Sequence, residues 1–512
     1  MSGINPNRNH HTLFPRQDRD KIQRGNKSEI KNQMATSEFE TIIGLEVHVQ
    51  LKTNTKIFCS CRNRFGDPPN TNVCPVCLGL PGALPVLNKQ VVDYAVLTGL
   101  MLNCEVAHFS KFDRKNYFYP DLPKAYQISQ FDLPICGLGQ IEADVNGKRK
   151  IFGITRAHLE EDAGKLIHDD DGEGSLVDLN RTGTPLLEIV SEPDMHSPEE
   201  AYVYLTTIRQ LISYLGVSDC NMEEGSLRCD ANVSIRPFGQ KEFGVKVEVK
   251  NLNSFKNVQK ALEYEIKRQT ALCLSGRGDE IVQETRLFNV DSGKTNSMRS
   301  KEMAHDYRYF PDPDLVPMTF TDEEIESFRI QLPERPEDKK LRFINSFELS
   351  EYDAAVLTAE KNIADYFEKV INNGASPKSA VNWISNNLLS ELNQSDITLE
   401  ECKITPELLA ELISLIEKKV ISGNIAKKIF PDMFESGKSP AKIVEEKGLV
   451  QVTDSSEIDA WVDQAINENP DAVDSIKNGA EKAIGRIVGT VMKLSRGKAN
   501  PALVQQKIKE KI

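Results

Sequence analysis

No glycine-rich phosphate loop of the G-x-x-x-x-G-K-[ST] kind occurs in the 512 residues, and no G-x-G-x-x-G fingerprint links a strand to a helix. Any phosphate chemistry must then rest on metal-bound carboxylates and basic side chains. No G-x-S-x-G is present, and most of the eight histidines are isolated, so a Ser/His/Asp hydrolase site is not apparent. No run approaches the roughly 20 apolar residues of a membrane span, and no secretory hydrophobic region is present. The ten cysteines are unevenly spaced, unlike a disulfide scaffold, which fits a reducing, cytoplasmic compartment. A net charge of −13 excludes a uniformly basic nucleic-acid binder. It leaves local patches free to act, because screening falls off over about 8–10 Å.

What is present is ordinary globular composition, 39% hydrophobic and 27% charged, in a length that suits roughly three domains. Residues 1–38 are polar and expected to be disordered. Met34, ahead of Ala35-Thr36-Ser37, is a candidate start of translation, and Asp18, Asp20 and Glu29 interrupt the basic character of a transit peptide. Residues 39–330 are rich in strand patterns and turns and predict one α+β domain around a twisted, mainly antiparallel sheet. Its clearest helix has Val258, Leu262 and Ile266 on one face. A Pro-rich, charged segment at 331–338 reads as a linker. Beyond it the pattern is helical, with Ser376-Pro377 and Thr405-Pro406 as helix starts. It divides near residue 400 into two all-α domains, 331–400 and 401–512. From Ile476 to Ile512 nine Lys or Arg face two Glu; charge alone leaves nucleic-acid contact and a solvated helical face both open.

Chemistry concentrates in strands that alternate. In Ile43–Leu51 the residues Leu45, Val47, Val49 and Leu51 point one way, and Glu46, His48 and Gln50 the other. Taken singly, such a strand is a half-exposed sheet with a wet face. The design recurs, however. Arg156, His158 and Glu160 share a face, followed by Glu161 and Asp162; Asp230, Asn232 and Ser234 alternate with Ala231, Val233 and Ile235; Lys246, Glu248 and Lys250 alternate with valines expected to be buried. Glu188 stands alone in the apolar run Pro185–Val190, where a buried carboxylate needs a partner. Carboxylates converging on one sheet face would repel one another, and divalent cations such as Mg²⁺ relieve that repulsion.

Cys59-Ser60-Cys61 and Cys74-Pro75-Val76-Cys77 form C-x-C-x₁₂-C-x₂-C, which suits a closed, structural Zn²⁺ site; four reduced, non-ligating cysteines are the alternative. The stretch 111–127 alternates basic and aromatic residues, among them Arg114, Lys115, Tyr117 and Lys124, as sites that grip phosphate and stack a base do. A tyrosine-rich loop packed on the sheet is equally consistent. Arg181, in the turn before Pro185, is a candidate anion ligand. The segment 305–314 is again dense in aromatic, basic and acidic groups.

Together these segments resemble one family, the B subunit of the aspartyl/glutamyl-tRNA(Asn/Gln) amidotransferase. The matching stretches are I-G-L-E-V-H-V at 43–49, N-V-C-P-V-C-L-G-L-P-G at 72–82, R-K-N-Y-F-Y-P-D-L-P-K at 114–124 and H-L-E-E-D-A-G-K at 158–165. They continue with D-L-N-R-T-G-T-P-L-L-E at 178–188, G-S-L-R-C-D-A-N-V-S at 225–234, V-E-V-K-N-L-N-S-F at 247–255, D-Y-R-Y-F-P-D-P-D-L at 306–315 and G-T-V-M-K-L-S-R-G-K-A-N-P at 489–501. The resemblance runs from about 39 to 512.

It implies a catalytic sheet like that of glutamine synthetase and guanidino kinases, described as a cradle, followed by helical and tail domains that hold tRNA. It implies ATP and Mg²⁺, and a misacylated tRNA, Glu-tRNA(Gln) or Asp-tRNA(Asn), whose side-chain carboxylate is phosphorylated. A partner amidase subunit would supply ammonia from glutamine, and a small third subunit would join the assembly. On this reading His48, Glu161 and Glu188 hold one Mg²⁺, and Glu46, Glu160, Asp230 and Glu248 a second that arrives with ATP. Lys250 lies near phosphate; Asn251, Asn253, Ser254, Arg181, Lys124 and Tyr117 bind substrate. Lys493, Arg496 and Lys498 contact tRNA. Cys59, Cys61, Cys74 and Cys77 hold zinc, which only some family members have. A zinc-containing tRNA-binding protein without catalysis is the alternative.

Overall fold

The computed structural model of the chain describes residues 38–168, 174–298, 307–449, 455–477, 480–495, 499 and 501–512. The expected disorder of 1–38 falls almost wholly outside them, as do His305, Asp306, Arg496 and Lys498. Two compact units result, residues 1–333 and 334–512.

The first unit is α+β. Its main sheet contains β1 (Phe39–Gln50), β2 (Gly139–Val145), β3 (Lys148–Glu161), β4 (Pro185–Ser191), β5 (Leu227–Pro237), β6 (Val247–Lys250), β7 (Glu284–Asn289) and β8 (Lys294–Ser297). The order across the sheet is β8-β7-β6-β5-β1-β4-β3-β2. Every adjacent pair is antiparallel except β6 and β7, so the sheet is mixed and mostly antiparallel.

Period-two alternation sorts its side chains. Leu45, Val47, Val49, Leu159, Leu187, Ile189, Ala231 and Val233 are buried on one face. There they share a core with Val91 and Val96 of α1 (Lys89–Met101), Leu205 and Ile208 of α2 (Pro198–Leu215), and Val258 and Leu262 of α3 (Phe255–Leu274). α2 starts at Ser197, whose hydroxyl accepts the Glu200 N–H at 3.1 Å, with Pro198 in the first turn. It stops at Gly216, whose φ of 71° lets the chain turn out of the helix.

One expected strand residue fails. Val245 is 44% exposed, and β6 begins only at Val247. The alternation there extends two residues beyond the ladder that would have buried it.

The second unit is helical. One core runs from Phe343 to Val444 and contains the ring contacts Phe343–Phe367 and Trp383–Phe430. Another runs from Ile458 to Ile508. The boundary expected near residue 400 falls inside the first of these. Thr405 caps its helix as expected, accepting from the Leu408 N–H. Ser376 heads the Pro377–Trp383 helix without a side-chain cap bond; its hydroxyl turns instead to Glu417 at 2.6 Å. Among the described residues no helix is long and apolar enough to cross a membrane.

Candidate functional site

Strand register assembles the polar face of the sheet. Across β3, β4, β1 and β5 one row reads His158, Glu188, His48, Arg228. The adjacent row reads Arg156, Val190, Glu46, Asp230, and Lys250 of β6 reaches Asp230 at 2.5 Å. Two groups of ligand-type atoms follow from this lattice, each with its atoms within 4.8 Å of one another: His48, Glu160 and Glu188, and Glu46, Asp230 and Glu248.

In the first group Glu188 lies between two imidazoles, its Oε2 3.4 Å from Nε2 of both His48 and His158. Burial works against a charged His48, but the hydrogen bond and charge of Glu188, with Glu160 and Asp230, outweigh it and raise the group to about 9. Burial pushes His158 down to about 4, so it is neutral. Glu160 is pushed up to about 7, first by burial and then by the charge of Glu188. Burial alone would raise Glu188, yet His158 and His48 hold it well below the usual carboxylate range. A buried group with two carboxylates and two imidazole nitrogens is a mixed N/O donor set of the kind divalent metals use.

The second group is less buried. Glu46 accepts from Asn232 Nδ2 at 2.9 Å, and Glu248 from the Thr285 hydroxyl at 2.7 Å. Lys250 bridges Asp230 and Glu248, at 2.5 and 3.1 Å. Asn232 Oδ1 is buried without a hydrogen-bond partner among the described residues. A hard oxygen left unsatisfied beside three carboxylates fits an oxygen-seeking cation.

The expected division of ligands is redrawn at two residues. Glu160, expected with Glu46, lies with His48 and Glu188. Glu161, expected with His48, belongs to neither group. As the strand neighbour of Glu160 it projects from the other face. There it pairs with Lys124 and accepts the Ile128 N–H at 2.9 Å. Lys124 thus has a carboxylate partner within the chain.

Other expected substrate residues also have internal partners. Arg181 donates to the carbonyls of Ala163 and Gly164, at 2.9 and 2.6 Å. Asn251 has a φ of 67° and donates to the Phe288 carbonyl at 2.9 Å. Ser254 caps α3 through the Asn257 N–H. Asn253 is exposed. Tyr117 stands edge-on to Tyr307, their centroids 5.8 Å apart. In the second unit Lys493 is exposed on the helix Ile484–Leu494. The basic count of that region overstates its free charge, because Lys507 and Lys511 pair with Asp459 and Asp463.

The structure brings to these groups three residues to which the sequence patterns assign no role, His158, Asn232 and Asp162, and a fourth, Lys115, read from its loop as a candidate phosphate contact. Two of them, His158 and Asn232, are legible by alternation. Lys115, in the 111–127 loop, lies 4.9 Å from the Tyr307 ring centroid; burial opposes its charge, but Glu160, Tyr309 and Glu188 raise its pKa. Asp162, just past β3, gathers Gln50, Arg228 and Arg181, at 3.0, 2.9 and 3.5 Å. No sequence signal marks that gathering, which joins three separate segments.

The four cysteines converge, with Sγ atoms within 4.8 Å of one another. Cys77 Sγ accepts the Cys74 N–H at 3.0 Å, closing the x₂ turn around one sulfur. A hydrogen bond from Cys59 lowers Cys77 to about 5 against its burial, and the Lys56 ammonium adds to this. The arrangement fits a four-coordinate metal ion. Behind it Gly79, at φ 66°, backs onto Lys124. A Cβ there would lie 3.1 Å from the Lys124 Cα and overlap its side chain. The remaining described cysteines are free and scattered.

This is an α+β sheet with two acidic groups on its open face, followed by a helical unit, and two family descriptions match it. Residues 41–326 match the GatB/GatE catalytic domain, and residues 365–512 the GatB domain. Curated relatives agree across the chain. The B subunit of aspartyl/glutamyl-tRNA(Asn/Gln) amidotransferase from Carboxydothermus hydrogenoformans is 56% identical over 478 residues, covering 93% of this chain and 99% of the relative. The proteins of the same name from Thermoanaerobacter pseudethanolicus and Brevibacillus brevis are 57% and 56% identical over 474 residues, with the same coverage. The chain belongs to the family of aspartyl/glutamyl-tRNA(Asn/Gln) amidotransferase B subunits.

Proposed function

We propose that the chain is the kinase-and-amidation component of a tRNA-dependent amidotransferase, acting on Glu-tRNA(Gln), Asp-tRNA(Asn) or both. The observation that carries this reading is the pair of acidic groups in adjacent rows of one sheet face. Its fold relation is to the glutamine synthetase and guanidino-kinase sheet. A carboxylate is a poor electrophile. Its oxygen attacks the γ-phosphorus of ATP, ADP leaves, and an acyl phosphate forms. Ammonia then attacks the acyl carbon, inorganic phosphate leaves, and the amide remains.

His48, Glu160 and Glu188 would hold one Mg²⁺, and Glu46, Asp230 and Glu248, with Asn232, a second. Bound there, the cations neutralise phosphate charge and favour in-line transfer. Lys250 holds Asp230 and Glu248 in place and would stand near an arriving phosphate. Lys115 offsets the negative charge of the first group. The four cysteines would hold a structural Zn²⁺. The partner amidase supplies ammonia, a small third subunit joins the assembly, and residues of the tail, Lys493 among them, meet tRNA.

Glu46→Gln tests the reading. It should abolish ATP-dependent amide formation while leaving glutaminase activity in the partner; normal amidation by that variant would remove Glu46 from catalysis. Deleting residues 406–512 should weaken tRNA affinity, and unchanged affinity would defeat the tail assignment. A non-catalytic zinc-containing tRNA binder is disfavoured by the acidic face, since an RNA groove would carry Lys and Arg there. ATP hydrolysis that depends on charged tRNA separates the two.

A further inference from the structure

Lys56 is fully buried. Its ammonium donates to the Asn72 carbonyl at 2.7 Å and to the Leu179 carbonyl at 3.4 Å. Among the described residues it makes no ion pair with a carboxylate. The carboxylate that comes close, Glu161, approaches the same glycine, Gly183, but is taken by Lys124. A buried ammonium with neutral acceptors alone is unfavourable and calls for an anion nearby.

The four-cysteine loop is the available source. Asn72 lies two residues before Cys74. A Cβ built on Gly183 would be 3.6 Å from Lys56 Cδ and 3.8 Å from Cys77 Cβ, so the lysine stem and Cys77 meet at one glycine. A divalent ion held by four thiolates is doubly negative overall.

We propose that Lys56 is the internal counter-charge of a metal-loaded four-cysteine centre and a positioning residue for it. The inference rests on the zinc reading above. The thiolate centre makes a buried ammonium tolerable. Its two carbonyl bonds tie the cysteine loop to Leu179, in the turn that leads to β4 and Glu188. Such outer partners of metal ligands typically change metal affinity about 10–100-fold when removed.

The test uses the full-length chain purified with its partner subunits. Zinc content is measured, and zinc transfer to a colorimetric chelator is timed, for the parent, Lys56→Met and Lys56→Gln. The parent should hold about one zinc per chain, and both variants should release it about 10–100-fold faster. A parent without metal overturns the zinc reading and this inference with it. A parent with metal and variants that release at the parent rate overturn this inference alone. Should Lys56→Met fail to fold, Lys56→Gln, which keeps a donor for the Asn72 carbonyl, carries the same comparison.

Hydrogen exchange at the Ile57 amide, which donates to the Gly183 carbonyl at 3.0 Å, separates charge from packing. Counter-charge loss lowers protection in the loaded protein and does not lower it in the metal-stripped protein, where the ammonium has lost its anion. Equal loss in both states assigns Lys56 to packing and overturns the proposal.

Discussion

Glu161→Ala should be among the most damaging single changes in the sheet unit, because it leaves a cation without a partner. The Lys124 and Glu161 side chains are 7% and 2% exposed. Glu161 Oε1 also accepts the Ile128 N–H at 2.9 Å. Removing the carboxylate leaves a buried ammonium, worth about 3–5 kcal/mol for a broken buried pair, and an unsatisfied N–H, worth about 1–3 kcal/mol. The two overlap, so the expected loss is about 4 kcal/mol. Lys124→Met keeps the stem and removes the charge, and should cost about 3 kcal/mol. Combining Lys124→Met with Glu161→Gln leaves no stranded charge and keeps an acceptor for Ile128. Glu161→Gln alone strands the same ammonium and should cost about 3 kcal/mol. The double variant should cost about 1–2 kcal/mol, far below the sum of about 6, a coupling above the usual range of about 0.5–3 kcal/mol because each single change strands a buried charge. Native-state hydrogen exchange at the amides of β4 reports the sheet without interference from the helical unit. A loss of about 4 kcal/mol lowers protection roughly a thousandfold. A single-variant cost below about 1 kcal/mol, or a double-variant cost equal to the sum, would show that the pair is solvated in solution and refute the reasoning.

Gly79→Ala should destabilise by about 1–2 kcal/mol through its left-handed backbone alone. It should also displace Lys124 and reproduce part of the Lys124→Met effect; an additive double variant of the two would break that link. In metal-stripped protein, His48 is raised to about 9. Its contribution is therefore fully present below about 6.5 and lost as pH rises toward 9. Glu160, raised to about 7, also binds more protons folded than unfolded between about 4.5 and 7, so stability falls with rising pH there too. Glu188→Gln should flatten the His48 window in a stability-versus-pH series, and an unchanged slope above pH 7 would count against Glu188 as the cause.

Much of the sheet is readable in advance because a strand turns alternate residues to opposite sides whatever it pairs with. Leu45, Val47 and Val49 against Glu46 and His48 need no partner strand to be sorted. The same rule separates Glu160 from Glu161, and applied strictly it places Glu160 with His158 on the polar face. The alternation overruns at Val245, since pattern does not say where a ladder ends. The Cys₄ set is visible because both pairs are local. Arg181 and Asn251 look free for a ligand in the sequence because their acceptors, the carbonyls of Ala163, Gly164 and Phe288, are backbone atoms with no sequence signature. Lys56 resembles a surface lysine for the same reason.

Residue order alone settled which side chains can share a face and which cysteines lie close enough to form a turn, since both depend on geometry spanning only a few residues. Which faces meet was settled by pairing among strands far apart along the chain. His48 opposite Glu188, Glu188 opposite His158 and Glu46 opposite Asp230 are matters of register. Register comes from burying the apolar sides of all the strands against three helices at once, and a one-residue slip would turn every acid on a strand to the wrong side.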